Sequence, residues 1–162
     1  MMPDSSTTGS NGLLFRLANP TDLVEIVRML ADDRLGANRE HFSVPLLRGY
    51  VDAFASIEQD PNNEILVAQD SDDNLLGFLQ ITYIPNLTYQ GRWRALIEGV
   101  RVKSEKRAAG IGKALITNAI ERARERNCHL VQLTSDKTRT EALRFYESLG
   151  FKASHEGFKR SL

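Results

Sequence analysis

Arg107-Ala108-Ala109-Gly110-Ile111-Gly112 runs directly into Lys113 and Ala114, so that two glycines, an arginine and a lysine stand together in eight residues. Glycines at this spacing let main-chain N–H groups approach oxygen atoms with no Cβ between them. If a helix begins here, its unpaired first-turn amides and positive dipole end suit a phosphate, best of all a pyrophosphate, with Lys113 as a mobile charge at the rim. Taken alone, a short G-x-G is also what many strand-to-helix turns use purely for geometry. Two other nucleotide-binding loops are excluded. There is no G-x-x-x-x-G-K-[ST], and Leu115 occupies the place of the third glycine of G-x-G-x-x-G.

Other residues invite chemistry with less pattern behind them. Gly99 interrupts the run Trp93–Lys103, where an isolated glycine marks a bulge or a close approach of a ligand, or else a simple adjustment of twist. Arg92, Arg94, Arg139 and Arg144 offer bidentate binding of an anionic acceptor, or merely a solvated face. His41 lies in a polar loop, and His129 and His155 have no metal-ligand spacing, so no required metal is expected. Cys128 reads as a small buried thiol at the entrance to a strand.

The elements that must position these residues follow from periodicity and punctuation. Leu13 to Ala18 is a short strand, and Asn19-Pro20-Thr21-Asp22 caps a helix carrying Leu23, Ile26, Val27 and Leu30 at helical spacing. A polar stretch from Asp32 to Ser43 leads to Val44-Pro45, which opens a second helical run through Leu47, Val51, Phe54, Ala55 and Ile57. Glu64 to Gln69 and Leu75 to Ile84 form a hairpin about Asp70-Ser71-Asp72-Asp73-Asn74, and Trp93 to Lys103 is a long central strand. From Ile111 the period turns helical, with Leu115, Ile116, Ala119, Ile120 and Ala123 on one face. His129 to Thr134 is a further strand, Thr140 to Leu149 a helix stopped by Gly150, and Phe151 to Leu162 offers one or two closing strands. The order is that of an α/β domain with a hairpin half and a β-α-β half.

Composition narrows the partners. With 162 residues the chain fits one domain, taken as 13–162 behind a flexible tail, 1–12, that has neither an apolar signal core nor an arginine-rich face. Lys plus Arg and Asp plus Glu number 21 each, so no net field draws the protein to nucleic acid or an anionic membrane. No stretch reaches the roughly 18 apolar residues of a membrane span, and a lone cysteine cannot close an internal disulfide; a reducing cytoplasm is the expected location. Trp93 and the apolar run around Ile81 to Ile84 offer a sheet-edge or strand-exchange surface for a homodimer.

Val100-Arg101-Val102, then Arg107-x-x-Gly110-x-Gly112, then Ala142-x-x-Phe145-Tyr146-x-x-x-Gly150-Phe151, is a combination far more specific than any of its parts. It resembles the GNAT superfamily of acyl-coenzyme A-dependent N-acyltransferases, in detail from about Trp93 onward and before that in element order alone. The resemblance implies a mixed, mostly antiparallel twisted sheet, splayed in the middle and flanked by about four helices. It further implies acetyl-coenzyme A as co-substrate. Its pyrophosphate would rest on the amides of Arg107, Ala108, Ala109, Gly110, Ile111, Gly112, Lys113 and Ala114, and its pantetheine arm along the main chain of Val100, Arg101 and Val102.

Tyr146 matches the tyrosine that protonates the leaving thiolate in that family, and Glu98, beside Gly99, is the acid best placed to take a proton from the amine. Members often have asparagine seven residues before the tyrosine. This chain has Arg139 at that coenzyme-binding position, and Arg139, the string Lys137-Thr138-Arg139 and the later Ser154-His155 resemble the aminoalkylphosphonate N-acetyltransferases. The acceptor implied is a small-molecule primary amine. A protein or peptide N-acetyltransferase and a regulatory module that binds acetyl-coenzyme A without turnover are the alternatives.

Overall fold

Asp70 turns the first hairpin. Its Oδ1 accepts the backbone N–H of Asp72 and of Asn74, each at 3.0 Å, and Asp73 takes the left-handed conformation (φ 61°) that such a turn needs. In the computed structural model, which describes residues 7–8, 12–32 and 36–162, this turn joins β3 (Asn63–Gln69) to β4 (Leu75–Ile84). Together with β1 (Thr7–Thr8), β2 (Leu14–Leu17), β5 (Arg94–Val102) and β6 (Leu130–Leu133) they form one six-stranded sheet in sequential order. Every pairing is antiparallel except β5 with β6, which is parallel. The expected tail over 1–12 otherwise lies outside the described residues.

Alternation along the strands assigns the two faces. Ile81, Tyr83, Ala95 and Ile97 point to one side and are buried against Leu115, Ile116 and Ala119 of α4 (Ile111–Glu125). Val67 and Phe78 point to the other and pack on Ile26 and Met29 of α1 (Leu23–Ala31), while α2 (Arg48–Gln59) lies along β3. α3 (Thr88–Gly91) is a single turn with Tyr89 and Gln90 in left-handed conformation, and α5 (Thr140–Ser148) brings Phe145 and Tyr146 to the α4 side. The mixed, mostly antiparallel sheet matches the expectation, with four regular helices and one short turn. None of the described helices is long and apolar enough to cross a membrane.

The far end of α4 is fastened to the sheet by charge. Glu64, 9% exposed, accepts Arg122 Nε at 2.7 Å and Arg126 Nη2 at 3.1 Å, and Tyr83 donates its hydroxyl to the same carboxylate at 3.1 Å. Arg126 also stacks 4.3 Å over the Tyr83 ring. On the other side Arg16 holds the buried Asp22 through two bonds of 2.6 and 2.9 Å, while Asp22 accepts the Asn19 N–H and so completes the capping box ahead of α1.

Three expectations are corrected. The second helix begins at Arg48 and not at Val44, because Leu47 is extended (ψ 137°) and the chain before it is irregular. Residues 151–162 form no strand. Serine, histidine, glutamate, glycine and basic residues there leave no face to bury, Phe158 is 94% exposed, and the segment is held instead by a Glu156–Lys137 ion pair. The run Ile81 to Ile84 is not at a sheet edge, since β4 lies between β3 and β5 with Ile81 and Tyr83 in the core.

Candidate active site

The glycine loop folds as its composition demands. After β5 a short turn (Ser104–Lys106) leads to Ala108 in left-handed conformation (φ 62°) and to Gly110 (φ 81°), which caps α4 without a side-chain hydrogen bond. Gly110 occupies the region that a side chain makes costly, by about 1 kcal/mol or more, and leaves the N–H groups of Ile111, Gly112 and Lys113 without intrahelical partners. The first bond of the helix closes behind them, from Ala114 N to the Gly110 carbonyl at 3.0 Å. Arg107, Lys113 and most of the loop are exposed, whereas Ile111 is anchored in the core. Gly112 leaves space filled by Phe145, whose Cζ would lie 3.5 Å from a Cβ, so the loop's position is tied to the helix that carries Tyr146.

Beside the loop the sheet opens. Between the pairs Phe78↔Arg101 and Gln80↔Glu98, β4 spends one residue, Leu79, and β5 spends two, Gly99 and Val100. Gly99 is left-handed (φ 63°), the conformation of the glycine in a bulge that bends its strand. Parallel pairing of β5 with β6 ends at Ile97↔Leu133, immediately before that bulge. From Glu98 to Val102 the β6 side of β5 is therefore unpaired, and its main chain runs on to the glycine loop as a ledge of donors and acceptors.

Tyr146 stands over this region between Phe145 and Phe151, at ring-centroid distances of 5.2 and 6.0 Å. Burial pushes its phenol pKa up, and the guanidinium charges of Arg139 and Arg101 pull against that rise. Arg101 Nη1 donates to the Val100 carbonyl at 2.8 Å, a role its position in Val-Arg-Val did not disclose. Glu98 is exposed and points away from α4, because its cross-strand partner Gln80 lies on the opposite face from Ile81 and Ile97.

The remaining candidates scatter. Arg94 is bound to Asn86 at 2.9 Å at the start of β5, about 26 Å of strand from Val102, so Arg92 and Arg94 are not gathered with Arg139. Arg144 is exposed on α5. The His41 backbone N–H donates to the Tyr50 hydroxyl, His129 stacks on Tyr89 with Nδ1 2.7 Å from the Trp93 carbonyl, and His155 contacts Ser154. Cys128 is half-buried, and burial raises its thiol pKa, as the reading of a packing residue requires.

Known proteins share the family and the fold. Residues 28–151 match the Acetyltransferase (GNAT) family. The chain is 40% identical over 82 residues to a glucosamine 6-phosphate N-acetyltransferase of Trypanosoma brucei brucei, covering 51% of this chain and 53%, about half, of that relative. It is 29% identical over 115 residues to an aminoalkylphosphonate N-acetyltransferase of Salmonella typhimurium, covering 71% and 73%. A solved structure described as a transcriptional regulator from Bacillus halodurans C-125 superposes with a TM-score of 0.90 at 55% identity, over 93% of this chain and 99% of that one.

Proposed function

The chain belongs to the GNAT acetyltransferase family, and from that premise we propose that it is an enzyme that moves an acetyl group from acetyl-coenzyme A to the primary amine of a small molecule by direct attack. The observation that carries this reading is the parting of β5 from β6 at the Gly99 bulge, directly before the glycine loop. A pantetheine chain needs a strand-like ledge and a pyrophosphate needs free amides, and the two lie in sequence along Val100, Arg101, Val102 and Arg107 to Ala114. Arg139 and Lys113 add positive charge for phosphoryl groups. Both named relatives act on amines that carry a phosphoryl group, which supports a small-molecule acceptor.

At pH 7 an alkylammonium with pKa about 10.4 must give up a proton at a cost of about 4 to 5 kcal/mol before its nitrogen can attack. Glu98 is the group we assign to accept that proton. A nitrogen–carbon bond then forms at the thioester carbonyl and the carbon–sulfur bond breaks. An N–H freed by the bulge polarises the carbonyl oxygen, and the Tyr146 hydroxyl delivers its proton to the departing sulfur. The second proton that the attacking nitrogen must lose passes through water to the tyrosinate, so the products are an amide and a thiol, and the proton taken by Glu98 leaves to solvent. We assign the protein to a reducing cytoplasm, in keeping with the packed Cys128 thiol.

A thiol-release assay over primary amines, amino acids, aminoalkylphosphonates and peptide N-termini tests the proposal. Release above background with a small amine, reduced in Tyr146→Phe and Glu98→Gln, is expected. The neighbour described as a transcriptional regulator favours a second reading, a sensor without turnover: tight acetyl-coenzyme A binding with no thiol released from any acceptor would replace the first reading by the second.

A further inference from the structure

The sheet face turned away from α4 changes character halfway along. Towards β5's C-terminal end it is apolar where α1 covers it, at Val67 and Phe78. One pleat further, level with the bulge, it becomes polar. Gln80 and Thr82 of β4, Glu98 of β5 and Gln132 of β6 share this face, since Gln80 pairs with Glu98, Thr82 with Leu96 and Leu96 in turn with Gln132. Gln80, Thr82 and Gln132 are half-buried and Glu98 is exposed. The same strands carry Ile81, Tyr83, Ala95 and Ile97 on their covered side, so the polar side chains form a floor.

Hydrogen bonds orient that floor. Asn63 donates its amide to Asp60 at 2.7 Å, and its Oδ1 accepts both the Thr82 hydroxyl at 2.7 Å and Gln80 Nε2 at 3.2 Å. With its nitrogen held on Asn63, Gln80 turns its Oε1 to the other side as an acceptor. Among the described residues neither Glu98 nor Gln132 has a hydrogen-bonding or ion-pair partner for its side chain. Gln80 stands directly opposite Glu98 on β4 and Gln132 lies diagonally from it on β6, so Glu98 has one amide-bearing residue on each side of it on this face.

We propose that Gln80 and Gln132 are acceptor-specificity residues that flank Glu98 and select a primary amine bearing a hydroxyl group on a carbon next to the amino carbon. This rests on the acetyltransferase reading for its reaction, but the recognition itself is a binding property. Glu98 and the Gln80 carbonyl accept N–H groups of the ammonium, and Gln132, which can both donate and accept, takes the hydroxyl. Against a matched amine without hydroxyls the Gln132 amide stays unpaired beneath the ligand, which is where discrimination arises.

Serinol (2-aminopropane-1,3-diol) and isopropylamine differ only in the hydroxyls and make the test. With the full chain and saturating acetyl-coenzyme A, kcat/KM is expected to favour serinol by about tenfold or more. Gln132→Leu and Gln80→Leu should each raise the KM for serinol several-fold, with the KM for acetyl-coenzyme A unmoved. The Gln132 side chain makes no hydrogen bond to another described residue, so that variant answers even if the Asn63 network makes Gln80→Leu fold poorly. Saturation-transfer NMR of the two amines on the coenzyme A complex reads the same preference without turnover. If no thiol is released but serinol still binds in preference and loses that preference in Gln132→Leu, the acetyltransferase reading falls and this one stands. Equal behaviour of the two amines, or a preference untouched by both variants, overturns it.

Discussion

Tyr83 and Tyr146 each sit in the field of two arginines, and burial raises the pKa of both. Around Tyr83 the circuit is complete: Glu64 accepts from the phenol, from Arg122 and from Arg126, and the carboxylate pushes the phenol pKa higher still. Around Tyr146 the charges of Arg139 and Arg101, both positive, pull against the rise that burial imposes on the phenol pKa. A tyrosine fixed by a carboxylate is a fastening. One surrounded by cations keeps a proton that a developing thiolate can take, and the field that lowers its pKa also stabilises the phenolate it becomes.

By that contrast, damage to the first site is expected to cost stability and damage to the second to cost rate. Glu64→Ala leaves Arg122 and Arg126 facing a buried vacancy of charge and is expected to cost about 3 kcal/mol in chemical denaturation, with thiol release per folded molecule retained. Tyr146→Phe is expected to lower kcat about 100-fold, or about 2.7 kcal/mol of barrier, with the denaturation midpoint unchanged. A loss of stability without loss of rate in Tyr146→Phe would make the two tyrosines alike. Asp22→Asn probes a second closed network and should cost about 2 kcal/mol at pH 7. Burial alone would raise the Asp22 carboxyl, but the Arg16 and Asn19 bonds outweigh it and hold it below its ordinary 3.8. Its stabilisation is therefore complete above about pH 5 and is lost as pH falls through the lowered folded-state pKa, so the stabilities of wild type and variant should approach each other over that acid range. Tyr83→Phe removes one hydroxyl from a network that keeps both arginines, and a loss of about 1 kcal/mol is expected.

The two regions were unequally legible in the sequence. Local signals carried the active region: the glycine pair, the helical period from Ile111 and the glycine inside the central strand all act within a few residues, and each has its predicted place in the fold. Glu64, Tyr83, Arg122 and Arg126 gave no such signal, because the bonds that join them span 19 to 62 residues and a charged residue on a helix reads as a solvated one. Gln80 and Gln132 are hard to single out in sequence for a related reason. A polar residue in an alternating strand announces an open face, and only the register identifies which residues of other strands share it. The C-terminal segment misled because Phe151 and Phe158 suggest strand, while strand formation depends on a partner edge and a buried face that composition does not supply.

β6 is a four-residue strand at the end of the sheet order, bonded to β5 over only four pairs before the two part. A strand held so briefly on one flank is among the first elements to open in native fluctuations, and its amides should exchange with solvent deuterium well ahead of those in β3 and β4. A ligand lying in the gap would serve as the strand the sheet lacks there, so saturation with coenzyme A should slow exchange at Leu130 to Leu133 as well as on the ledge. Slower exchange there would make the parting of the sheet a reserve of local motion that a bound ligand orders, with part of the binding free energy taken up in ordering the strand that borders it.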